Sequence, residues 1–287
     1  MTFNGPPKAS NNTEVVGGTP EYWKENKPFK SPKKYFELQL AFARKVAERK
    51  HLTILDAVDT YAPVIRNTTR LLGAQRQVGE RLPGITDDTL LEEAWATSKE
   101  RQKEHSKERT EYHPEDSTRF GCSSYDYDMG TKTVNVHFSN TEFEEDFQDG
   151  KDVSTGPLDK EKLDRRKSEL KQMFLDIRSK YPDAVKVHGR SWLYNLPAYC
   201  RLYPDSYLVG AKDYDAELWS HGTSIWGQFL GGNDKEPGEY GFKEDTAKTF
   251  LERVDSVPVD RLADALPYAP RNAEGDIQDF YSFYGIE

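Results

Sequence analysis

The chain has little cysteine and no long apolar run. Two cysteines in 287 residues, Cys122 and Cys200, cannot frame a disulfide scaffold, and they lack the close spacing of a zinc knuckle. No stretch approaches the roughly 18 consecutive apolar residues that a spanning helix needs, so membrane insertion is not expected. The amino end, MTFNGPPKASNNTEVVGG, has neither a basic patch nor an apolar core and reads as a polar lead-in, not a secretory signal, which makes a cytoplasmic location the expectation. Basic blocks are missing as well. Lys and Arg number 40 against 49 Asp and Glu, a formal charge of −9. That balance argues against nonspecific nucleic-acid binding, which requires a concentrated cationic surface. Walker A, HExxH, paired CxxC and GxGxxG patterns are all absent, which disfavours nucleotide triphosphatases, zincin proteases and the usual dinucleotide-binding oxidoreductases.

What is present is charge and aromaticity. Charged residues make up 31% of the chain, and 16 Tyr, 14 Phe and 5 Trp give 12% aromatics. Mean hydropathy is −0.85. The expectation is an aromatic-rich, acidic globular protein preceded by disorder over residues 1–18.

Apolar spacing divides the chain into a helical domain, 19–118, and a mixed domain, 119–287. Ser31 and Pro32 read as the start of a helix carrying Phe36, Leu40, Ala43 and Ala47. Thr53 and Asp56 resemble a capping box opening a second helix, which Pro63 should interrupt. Thr86 should start a third, with Leu90, Leu91, Ala94 and Trp95 on its apolar side. From Ser98 to Asp116 the sequence is almost wholly polar, and the domain boundary is placed there.

After Arg119 the period changes to two. FGCSSYDYD, the turn Met129-Gly130 and TVNVHF read as an antiparallel hairpin, with Val134, Val136 and Phe138 alternating with Thr133, Asn135 and His137. A helix from about Asp159 to Lys180 follows. AVKVH at 184–188 reads as a strand, and the intervening helix as a crossover between parallel strands. A short helix, a further strand over SYLVGAKDY and a helical tail complete the expected α+β fold.

Six histidines are scattered through the chain. His137 and His188 end neighbouring candidate strands, and three readings stand for them: a three-nitrogen metal site with His221, a catalytic base or pocket residue, or hydrogen-bonded strand-end side chains. Gly189-Arg190-Ser191-Trp192-Leu193 lies where a nucleophile elbow would, but Leu193 stands where that turn needs glycine. Ser191 is therefore read as a cap. Carboxylate pairs such as Glu144/Glu145 and Asp213/Asp215 are read as solvated surface.

Strand, long helix, strand, short helix, strand over 133–213 resembles the back half of the GNAT superfamily of N-acyltransferases. His137-Phe138, then Gly156-Pro157-Leu158 before an amphipathic helix, then Ser191-Trp192-Leu193, are similar to the GNAT-like carboxy-terminal domain of bacterial proteins in which a helical domain comes first. Asn195 and Ala198 look like the Asn and Ala before the terminal helix. The resemblance implies an acyl-CoA donor lying between two parallel strands, with its pyrophosphate on backbone amides that open the crossover helix, here near Gly156 and Leu158. It implies His137 or His188 as proton acceptor, Tyr199 as proton donor, and Ser191, Trp192, Asn195 and His221 around a small amine substrate. No metal is expected. The loop before Gly156 carries Glu142, Glu144, Glu145, Asp146, Asp149 and Asp152, charges that repel a pyrophosphate unless they turn outward. The alternative expectation is therefore a non-catalytic module on the same fold that binds a small molecule or a protein.

Overall fold

The structure is a computed structural model that describes residues 32–68, 86, 89, 91–97, 119–140, 156–213, 224–231 and 240–286. The lead-in 1–18, the boundary stretch 98–116, the acidic loop and His221 lie outside the described residues.

Helix α1 spans Lys33–Lys50 and buries one face through Phe36, Leu40, Ala43, Val46 and Ala47. Its last-turn cations Arg49 and Lys50 suit the carbonyl end of a helix. Helix α2, Ile54–Tyr61, opens on the expected box: the Thr53 hydroxyl accepts from the Asp56 amide at 3.2 Å. Pro63 begins a separate helix α3, Pro63–Thr68, because a proline ring cannot continue the preceding turn.

The sheet starts with β1, Arg119–Phe120, β2, Ser123–Asp128, and β3, Thr133–Phe138. The hairpin register pairs Tyr127 with Val134 and Asp126 with Asn135. Helix α4, Leu163–Lys180, then crosses over to β4, Lys186–Ser191, which lies parallel to β3. Helices α5, Pro197–Cys200, and α6, Asp205–Val209, follow, and then β5, Lys212–Asp213. The small pair β6, Leu230–Gly231, and β7, Gly241–Phe242, precedes helix α7, Glu244–Ser256. Strand β8, Arg271–Asp276, returns to the sheet before helix α8, Ile277–Tyr284. Sheet order is β1-β2-β3-β4-β8-β5. One parallel pair among antiparallel neighbours makes the sheet mixed and the fold α+β.

Three elements differ from the sequence reading. The strand read at 184–188 is Lys186–Ser191, so His188 lies within it and not at its end, because Gly189–Ser191 continue the pairing with β8. Most of SYLVGAKDY is not a strand: Pro204 and Asp205 start α6, which buries Tyr207 and leaves Val209 exposed, and only Lys212–Asp213 joins the sheet. The tail is not wholly helical either. RNAEGD forms β8, paired along its length with β4. Its apolar content is a single buried alanine, Ala273, because Tyr207 packs against it: a Cβ on Gly275 would stand 3.1 Å from the Tyr207 ring.

Two hydrophobic cores result. One joins α1, α2 and α3 with Trp226, Phe229, Phe250, Val254 and Leu262 from the second half of the chain. The other lies under the sheet, where Tyr125, Val134, Val136, Val187 and Ala273 meet Leu170, Met173, Phe174 and Ile177 of α4 and Phe280 and Tyr284 of α8. Among the described residues, helices cover that face alone. The alternate residues of the same strands, Asp126, Asn135, His137, Lys186, His188, Arg190 and Glu274, form the other, polar face. No helix among the described residues is long and apolar enough to cross a membrane.

Candidate functional site

The strand registers align a row of polar side chains across the polar face. Asp126 stands opposite Asn135, Asn135 opposite His188, and His188 opposite Glu274. Side chains directly opposite on one face are within contact range, and here they connect. Asn135 Nδ2 donates to Asp126 Oδ1 at 2.7 Å, and Asn135 Oδ1 lies 3.1 Å from His188 Nδ1. The second carboxylate oxygen, Asp126 Oδ2, lies 2.6 Å from His137 Nε2.

This chain of bonds fixes proton positions. A carboxylate only accepts, so the amide nitrogen of Asn135 must face Asp126 and its oxygen must face His188. An amide oxygen also only accepts, so neutral His188 carries its proton on Nδ1 and its lone pair on Nε2. The same carboxylate takes the Nε2 proton of His137. One acid therefore orients both imidazoles.

His188 is half-buried between β3 and β8. Burial, and next the Arg190 guanidinium, lower its pKa below the ordinary histidine value. Neutral imidazole with a committed Nδ1 is the form that accepts a proton at Nε2. Beside it runs a cavity of about 490 Å³ lined by His188, Gly210, Lys212, Asp213, Asn272 and Glu274. Lys186 pairs with Glu274 at 2.7 Å on its rim. Among the described residues no three His, Cys, Asp or Glu side chains converge as a metal site.

The structure brings His137 and His188 together through Asp126 and Asn135. It does not bring Tyr199 to them. Tyr199 is 1% exposed and lies on the helix-covered side, where its ring meets Phe138 at 5.4 Å and its hydroxyl accepts from Tyr203 at 2.7 Å. Burial raises its pKa to about 12. Ser191, Trp192 and Asn195 hold backbone. The Ser191 hydroxyl accepts from the Leu193 amide at 3.1 Å, and the Trp192 indole donates to the Ser224 carbonyl at 3.1 Å while stacking on Tyr268. Asn195 Nδ2 donates to the carbonyls of Trp192 at 2.8 Å and Ala269 at 2.7 Å. Together these contacts clasp the end of β4 to the segments 224–231 and 266–270. Gly156 and Leu158 build the entry to α4: the Gly156 carbonyl accepts from the Asp159 amide at 3.2 Å, and Leu158 packs on the sheet-side core.

Asp126 and Asn135 escaped the sequence reading, yet their signal was available. The alternation YDYD against VNVH, folded at Met129-Gly130, places Asp126 opposite Asn135 on the face that also carries His137. Glu274 and Lys212 had no such signal, because their strands lack alternation. Comparison with protein-family models, with curated proteins and with solved structures finds no match for this chain. The site's meaning therefore rests on its own geometry.

Proposed function

We propose that the chain is an acyl-CoA-dependent N-acyltransferase of a small amine, working on the polar face of β3 and β4 around His188. The observation that carries this reading is the Asp126–Asn135–His188 chain, which commits the proton of a neutral imidazole to Nδ1 and so puts its lone pair on Nε2. An amine reaches the site mainly as an ammonium ion and has no lone pair until a base takes its proton. His188 Nε2 is that base. The freed nitrogen attacks the thioester carbonyl, a C–N bond replaces the C–S bond, and the departing thiolate takes up, through water, the second proton that the acylated nitrogen sheds.

Three further features support it. β3 and β4 are parallel and joined by α4, as the GNAT likeness requires. Their ladder runs from Thr133–Lys186 to Val136–Gly189, while the strands continue to Phe138 and Ser191, so their carboxyl ends are not paired with each other, where the GNAT likeness puts the thioester arm. Exposed Lys160 and Arg165, where the chain enters α4 after Gly156 and Leu158, suit a pyrophosphate. Cys122 and Cys200 as free thiols accord with a reducing, cytoplasmic setting.

The second reading, a module that binds a small molecule without transfer, is favoured by the burial of Tyr199 on the far side of the sheet. A thermal-shift series with acetyl-CoA and longer acyl-CoAs, paired with thiol release in the presence of amines, decides between them. Stabilisation by a millimolar donor together with thiol release that His188→Gln slows at least tenfold supports transfer. No stabilisation and no thiol release overturns it.

A further inference from the structure

The groove beside His188 has a composition that specifies its ligand more narrowly than "a small amine". Its walls carry both signs of charge. Lys212 has no hydrogen-bond or ion-pair partner among the described residues. Glu274 is held by Lys186 at 2.7 Å and Asp213 lies 3.4 Å from Arg271, each contact engaging one carboxylate oxygen. The register fixes how these groups stand. His188 is opposite Glu274, and Lys212 is opposite Asn272, two residues along β8 on the same face. Two strand spacings across and two residues along put the backbones of His188 and Lys212 roughly 12 Å apart. A small molecule with two charged ends a few bonds apart is of the size that lies between them.

We propose that this groove binds an amine that also carries a carboxylate, an α-amino acid or a close analogue, with the carboxylate on Lys212 and the amine between Glu274 and His188 Nε2. Lys212 supplies the cation that a carboxylate needs. Glu274 favours an ammonium group and repels a dianion, so a zwitterion fits better than phosphate. The cavity of about 490 Å³ is within the range of small-molecule sites. For the transfer step the inference rests on the acyltransferase reading, whereas binding stands apart from it.

The test is a ligand-detected NMR titration of the full chain, without acyl-CoA, using phenylalanine, leucine, glutamate and lysine against the matched amines that lack the α-carboxylate. The expected result is binding of at least one amino acid about tenfold or more tighter than its matched amine, a difference lost in Lys212→Met and kept in Lys212→Arg. Equal binding of amine and amino acid, an unchanged preference in Lys212→Met, no amino-acid binding at millimolar concentration, or binding of inorganic phosphate in place of amino acids overturns the inference. Amino-acid binding with no thiol release from any acyl-CoA overturns the transferase reading alone. Thiol release with simple amines and no amino-acid preference overturns the ligand assignment alone.

Discussion

The hydroxyl of Tyr194 occupies the space that a side chain on Gly189 would need. A Cβ at position 189 would stand 2.1 Å from that oxygen and 2.5 Å from the Tyr207 hydroxyl. The two phenols bond each other at 2.7 Å in a buried stack that also holds Tyr199 and Tyr203. β4 therefore presents His188 on one face only because its neighbour has no side chain on the other. Gly189→Ala is expected to destabilise the protein by about 2–3 kcal/mol through overpacking. The measurement is the shift in urea midpoint at constant slope; a shift too small to resolve contradicts the packing described.

At the other core, Thr53 both accepts from the Asp56 amide and donates to its carboxylate at 2.6 Å. Thr53→Ala removes the cap and should cost about 1 kcal/mol. Thr53→Ser, which keeps the oxygen, should recover most of it. Equal losses in the two variants would place the effect in the methyl group.

How far such features were legible in the sequence follows from where their causes lie. The Thr53 box, the break at Pro63, the hairpin about Met129-Gly130 and the crossover helix were readable because each is set by local chemistry: a capping oxygen, a missing amide hydrogen, a two-residue period, a helical stripe. β8 was not, since RNAEGD has neither alternation nor β-branched residues and becomes a strand only because β4 offers an edge and Tyr207 needs small neighbours. α6 was misread for the converse reason: YLV has strand propensity, but Pro204 and the burial of Tyr207 decide it. His137 and His188 were singled out correctly as neighbours on adjacent strands. The bond chain that orients them was missed, because it depends on a register that length and turn type imply but composition does not.

Phe250 tests whether the helical core depends on the chain's second half. Its ring lies 5.2 Å from Phe42, 5.1 Å from Phe229 and 5.9 Å from Trp226, so it couples α1 to α7. Phe250→Ala should cost about 3–5 kcal/mol. Amide exchange should then rise in α1 as well as in α7. Faster exchange confined to α7 would mean that α1 and α2 hold together without it.

His188 predicts a pH dependence whose sign is fixed by its surroundings. Burial and Arg190 hold its pKa below the ordinary value, while Glu274 and Asp126 oppose them and His137 adds to the lowering. In the unfolded chain the imidazole titrates near 6.5. As pH falls through that value the unfolded state gains a proton that the folded state still refuses, so stability drops, and the drop ends once the folded pKa is passed. His188→Gln should flatten this slope in urea titrations below about pH 6.5. Asn135→Asp should act in the opposite direction, because a second carboxylate beside His188 favours the imidazolium and raises its pKa. The check is the Cε1–H chemical shift of His188 followed by NMR. A midpoint at or above 6.5 in the unaltered protein, or no upward movement in Asn135→Asp, would contradict the coupling of Asp126, Asn135 and His188.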